Sequence, residues 1–137
     1  MGSHHTKDKG DLGVAKAFAD LVQRGLLVLF PTTEHAPFDL VAYRQGQFAR
    51  IQVKYRAASN GAVAVSFASS WADRHGNHSK AMDKTEVDFV CIYCPDTDEC
   101  YYVKPAFGRG VTLRVAPSLN NQRVNVLFAS DFRDLSV

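Results

Sequence analysis

The chain has 137 residues, 46% of them apolar and 22% charged, with a formal charge of +2. That length supports one core-forming domain, and without an apolar run near the roughly 18 residues of a membrane span the chain reads as water-soluble. So mild a charge does not by itself select a nucleic-acid partner; the local distribution of charge has to carry that argument.

Met1 to His5 reads as an expression-tag remnant with no apolar signal region, and residues 6–137 as a single domain. The expected location is cytoplasmic. Cys91, Cys94 and Cys100 are an odd set, which fits free thiols in a reducing compartment.

From about Asp11 to Arg24, Val14, Phe18 and Leu21 recur at helical spacing, with Asp11 placed as the N-terminal capping acid and Gly25 as the C-terminal stop. Leu26 to Phe30 runs apolar without alternation up to Pro31, which predicts a short buried strand. Phe38 to Tyr55 alternates around Arg44-Gln-Gly-Gln47 and predicts a hairpin with Gly46 at positive φ. Ala62 to Ala68 predicts another strand, while Ser69 to Lys84 breaks into a long polar loop that Trp71 would anchor to the core.

Val87 to Tyr93 and Cys100 to Val103 read as strands around a turn at Pro95 to Asp98, and Val111 to Val115 as a further strand. Pro117 to Gln122 reads as loop, and Val124 to Phe132 as a strand or a short helix. The sum is α/β: a central mixed sheet, a β-hairpin carrying the polar site, and the N-terminal helix packed on one face. Cys91-x-x-Cys94 with His75 and His78 offers a zinc reading. The strand period opposes it, because residues three apart on a strand face opposite sides.

If the hairpin turns between Gln45 and Gly46, residues whose numbers sum to 91 oppose each other: Arg44 with Gln47, Val41 with Arg50, and Asp39 with Gln52. Opposed residues share a face with Cβ atoms about 5 Å apart, and Lys54, two beyond Gln52, shares that face. Leu40, Ala42, Ala49, Ile51 and Val53 fall on the other face. One side would bury and the other do chemistry. A carboxylate, an amide oxygen and an ammonium at one hairpin end suit phosphodiester hydrolysis. Oxygen ligands hold Mg²⁺, which lowers the pKa of a bound water and offsets phosphate charge, and the ammonium stabilises that charge too.

These residues resemble the PD-(D/E)-x-K nuclease superfamily, with Phe38-Asp39 where its Pro-Asp stands and Gln52-Val-Lys54 carrying Gln for the acidic residue. Lys9-Gly-Asp-Leu-Gly13, Thr33 to Leu40, Ile51 to Arg56, Ser70-Trp71 and Asp88 to Asp96 are together similar to group I intron-associated homing endonucleases of that superfamily. The resemblance implies a restriction-endonuclease-like fold over a single nuclease-like domain, and sequence-specific double-strand cleavage of DNA with Mg²⁺ or Mn²⁺. It implies Asp39, Gln52 and the Val53 backbone carbonyl as metal ligands and Lys54 as the catalytic lysine. Many members carry a glutamate on the first helix where this chain has Val14; Glu34 or Asp11 could replace it.

Lys7, Lys9 and Arg56 flank the site in sequence, and Arg74, His75, Asn77, His78, Lys80 and Lys84 populate the polar stretch; these are the candidate DNA contacts. Arg109 and Arg114 are further basic residues. One catalytic constellation in so small a chain predicts a homo-oligomer, a dimer or higher, when both strands are cut. The alternatives are a catalytically degenerate DNA-binding module, a Holliday-junction resolvase-like nuclease, and a zinc-stabilised interaction domain.

Overall fold

The structure, a computed structural model, describes residues 5–105, 108–116 and 126–135, and leaves the side chains of residues 5, 6 and 69–71 undescribed. Helix α1 (His5–Gln23) starts earlier than the capping pattern predicts, so Asp11 lies inside the helix and not at its cap. Asp8 is the acidic residue of the first turn, where negative charge suits the helix dipole. Gly25, at φ +83°, ends the helix as expected.

Nine strands follow among the described residues: β1 (Leu27–Leu29), β2 (Leu40–Arg44), β3 (Gln47–Tyr55), β4 (Ala62–Ser66), β5 (Ala68–Asp73), β6 (Gly76–Ala81), β7 (Phe89–Cys94), β8 (Glu99–Val103) and β9 (Gly110–Arg114). The central sheet has the order β1-β2-β3-β7-β8. It is mixed: β3 and β7 run parallel, and the other neighbours antiparallel. β4 pairs with β9, and β5 with β6.

The expected hairpin register holds from Arg44↔Gln47 to Leu40↔Ile51. Gln45 (φ +49°) and Gly46 (φ +82°) both take left-handed backbone, as a tight two-residue turn requires.

Two predicted elements are corrected. Leu26 to Phe30 is not a buried strand: β1 is the sheet edge, with Leu27 61% and Leu29 41% exposed. An unbroken apolar run does not reveal which place in the sheet a strand takes, and β3 and β7 hold the centre. Ser69 to Lys84 is not a loop, because β5 and β6 form a hairpin closed at Asp73↔Gly76 with Gly76 at φ +116°. Its Ser, Ala, Asn and Lys residues lack the branched, alternating signature that marks a strand in sequence. Trp71's side chain and the stretch from Pro117 to Gln122 fall outside what is described. Of Val124 to Phe132, Ala129–Phe132 is a 3-10 helix.

Both faces of the central sheet are covered. On one face α1 packs Ala17 and Leu21 over Leu40, Ala42, Ile51 and Cys91. The approach is close: a Cβ on Gly13 would sit 3.3 Å from Val53 Cγ1. On the other face, Val63 and Val65 of β4 and Leu113 of β9 cover Val90, Ile92 and Val103. β7 is therefore buried at every position, each such aliphatic side chain contributing about 1.5–3 kcal/mol relative to exposure.

Cys91 belongs to the helix-side cluster and Cys94 to the opposite one, so the two thiols cannot close on a single ion and the zinc reading fails. All three cysteines are free and buried. No described helix is long and apolar enough to cross a membrane.

Candidate active site

The register carries the polar residues almost as expected, with one shift. Asp39 N–H donates to the Ile51 carbonyl (2.9 Å), although Ile51 already opposes Leu40. Two consecutive residues thus share one partner, as in a β-bulge, which re-aims the extra side chain. Asp39 consequently does not stand directly opposite Gln52. Its carboxylate reaches to Val53, whose N–H donates to Oδ2 at 2.7 Å. A residue's N–H and C=O leave an extended strand on the same side, so the Val53 carbonyl also turns toward this end of β2.

Gln52 and Lys54 pair with Val90 and Ile92 of β7, which places them on the face covered by β4 and β9. The expectation that one side buries and the other does chemistry is therefore corrected: both faces bury, and the polar residues sit at the margin of a second core. That placement governs their chemistry. Burial raises the Asp39 pKa, against the Val53 hydrogen bond and the charge of Lys54, which lower it. Burial and the charge of Arg56 lower the pKa of Lys54, against Asp39, which raises it. Lys54 Nζ donates to the Ala68 carbonyl at the start of β5 (3.2 Å). Gln52 Oε1 is buried with no hydrogen-bond partner, an arrangement that costs about 1–3 kcal/mol unless something else meets it.

Next to this group, Arg50 and Asp88 clamp β3 to β7. Arg50 Nε and Nη2 donate to the two Asp88 oxygens at 2.9 and 3.0 Å, and backbone N–H groups close the ring in both directions. Hydrogen bonding to Arg50 holds the Asp88 carboxyl below its ordinary pKa.

The remaining predicted residues divide. A cleft of about 230 Å³ beside Gln52 is lined by Lys80, Asp83 and Glu86. Sequence reading did not assign the two carboxylates to the site, and nothing in their spacing relates them to Gln52. Arg56 lines an open groove of about 480 Å³ with Arg109. Lys9 Nζ lies 5.9 Å from the Tyr55 ring, near Arg56 in sequence, and Lys7 is exposed.

Arg74, His75 and Asn77 sit exposed around the β5–β6 turn, where His78 Nε2 lies 3.0 Å from Asp73 Oδ1. Lys84 is turned away to the Gly108 carbonyl (2.7 Å). Arg114 is held on the Asn60 and Ala116 carbonyls. Asp11 and Glu34 are exposed, and among the described residues no three His, Cys, Asp or Glu side chains come together. Val14 packs into the helix-side core.

A divalent cation fits this donor set. The buried, unpartnered Gln52 oxygen is a hard donor, and the next residue, Val53, whose N–H holds the Asp39 carboxylate, adds a backbone carbonyl of matching hardness. A helix and a strand thus lead into the hairpin that follows the Asp39 carboxylate and carries the Gln-x-Lys.

The sequence pattern of the PD-(D/E)XK endonuclease family matches residues 4–135, and the chain belongs to that family. Among solved structures, a bacterial homing endonuclease, I-Ssp6803I, shares the fold with a TM-score of 0.75 over 96% of this chain and 89% of that one, at 22% identity. No curated protein matches the chain.

Proposed function

We propose that the chain is a metal-dependent, sequence-specific double-strand DNA endonuclease acting as a homo-oligomer. The buried Gln52 oxygen without a partner, on the strand whose Val53 N–H holds Asp39 and whose Lys54 acts on the Asp39 charge, carries the reading. Asp39, Gln52 Oε1 and the Val53 carbonyl would hold Mg²⁺ or Mn²⁺, which supplies an activated water and charge compensation on the phosphate. Asp39 is kept pointing to the site by the Val53 N–H. Lys54, held at Ala68, presents its ammonium to the scissile phosphate and stabilises the charge that develops there. Lys7, Lys9, Arg56, Arg109 and the basic residues of the β5–β6 hairpin would bind phosphates; a two-stranded ribbon of this kind also fits the major groove, with His78 and Lys80, which share a face of β6, as base-edge donors.

The test is incubation with a randomised DNA library across a metal titration. Sequence-selective double-strand cuts are expected. Retained binding without cleavage favours a degenerate DNA-binding module, a reading favoured by the presence of one carboxylate, Asp39, in the donor set. Preference for branched over linear DNA favours a resolvase.

Gln52→Glu offers a sharper check. A carboxylate brings the full charge that an amide lacks, so metal affinity without DNA should rise, read by calorimetry. Without metal, the same buried charge should lower the melting temperature, and saturating Mg²⁺ should restore it. Indistinguishable affinities would remove Gln52 from the ligand set.

A further inference from the structure

We propose that β1 is the dimerisation element of this protein: two copies pair their β1 strands antiparallel about a two-fold axis at Val28. The inference rests on the oligomeric reading above and names the surface that reading lacks. The two ends of the central sheet differ. At β8 the outer side is occupied, because the 3-10 helix packs against it and Arg133 Nε donates to the Cys100 carbonyl (3.1 Å). At β1, no strand lies beyond the edge among the described residues.

Edge strands are ordinarily guarded by charge, proline, a bulge or brevity, and β1, three residues long, has only the last. β1 is Leu-Val-Leu, with Leu27 and Leu29 exposed on one face; on the helix side Phe30 (51% exposed) lies 5.6 Å from the Phe18 ring (41%), beside Val22 (47%). Taking about 150–200 Å² for each whole side chain, these five expose roughly 400 Å² of apolar surface per copy. That is about half of the ~800 Å² per partner in a standard interface, with paired backbone and flanking residues to add.

A second copy is the occupant that fits. Leu27-Val28-Leu29 reads the same in both directions, so antiparallel pairing sets Leu27 beside Leu29 of its partner and Val28 beside Val28. The contact is isologous, as a two-fold dimer needs. It buries no unmatched charge: Arg24 is engaged by Asp20 and Asp134, and Arg44 by the Arg24 carbonyl. A two-fold axis between antiparallel strands of one sheet runs perpendicular to that sheet. Leu27 and Leu29 pair with Tyr43 and Val41, whose parity is that of Gln52 and Lys54. Both catalytic groups would therefore open on the same side of a joined ten-stranded sheet, facing one duplex.

Sedimentation of the whole chain should show a dimer, and Leu27→Lys with Leu29→Lys should weaken self-association at least tenfold while circular dichroism stays native. Such a monomer should nick plasmid DNA but make few double-strand breaks. A variant that remains dimeric overturns the β1 assignment, and its intact cutting would leave the nuclease reading standing. A wild type that is monomeric with and without DNA overturns both the assignment and the oligomeric reading; plasmid cleavage then judges the nuclease reading by itself.

Should the lysine variant misfold, Val28→Cys decides. Opposed residues on paired strands lie about 4.5–5.5 Å apart, within disulfide reach. The native thiols are buried, so mild oxidation should give a covalent dimer through position 28, and failure to cross-link counts against the pairing.

Discussion

Asp39→Asn should leave the protein folded and bound to DNA while slowing cleavage by about a thousandfold or more. A metal's charge stabilisation is worth several kcal/mol, and each 1.36 kcal/mol is a factor of ten in rate. Asparagine is the informative replacement because its amide oxygen still accepts from Val53 N–H, keeping the bulged strand end in place. Asp39→Ala should abolish cleavage equally but also melt earlier, since it strands a part-buried donor at a cost of about 1–3 kcal/mol. Single-turnover cleavage beside thermal melts separates the two contributions. If Asp39→Asn cuts at the wild-type rate, the carboxylate is structural.

Lys54→Met should lower kcat by about 10²–10³, the scale on which removal of one preorganised donor acts, with little change in KM. The thermodynamic signature runs the other way. Burial and Arg56 hold the Lys54 pKa below its ordinary value, so between that lowered value and 10.5 the unfolded chain binds the extra proton. Stability of the wild type should therefore rise with pH through this alkaline window, and Lys54→Met should not share the rise.

At neutral pH, where lysine is charged in both states, the ammonium carries its desolvation penalty, and the variant should unfold no more easily than wild type. Cleavage by the wild type should decline on the alkaline side below 10.5 as Lys54 loses its proton. Denaturant titrations across pH, with pH–rate profiles, test both halves. An alkaline stability rise that persists in the variant would detach it from Lys54.

The hairpin register was legible because side-chain parity is fixed once a turn is placed, and Gln45-Gly46 places it. Parity also put Gln52 and Lys54 on one face and kept Cys91 and Cys94 apart. The bulge at Asp39 was not legible, since an extra residue at a strand end leaves no mark in the apolar pattern. Nor was the second layer, because β4 and β9 are separated by more than forty residues and their pairing is a long-range event. That layer is why the face carrying Gln52 and Lys54 also buries apolar side chains. The β5–β6 hairpin escaped for a local reason: its sequence carries polar residues on both faces of each strand, which reads as loop. The carboxylates Asp83 and Glu86 beside Gln52 come from another part of the fold and had no spacing signal.

The double covering of β7 has a consequence for how the molecule opens. Its amides, with strands on either side and side chains packed above and below, should exchange with solvent only when the whole domain unfolds. The β5–β6 hairpin is a two-stranded ribbon with most described positions exposed, a type of structure that is marginal by itself. Its amides should exchange orders of magnitude sooner, a gradient readable by hydrogen–deuterium exchange. The ribbon can then loosen and re-form while Gln52 and Lys54 stay fixed on β3, so that under the proposed function DNA contact and cutting would draw on parts of the chain with separate lifetimes.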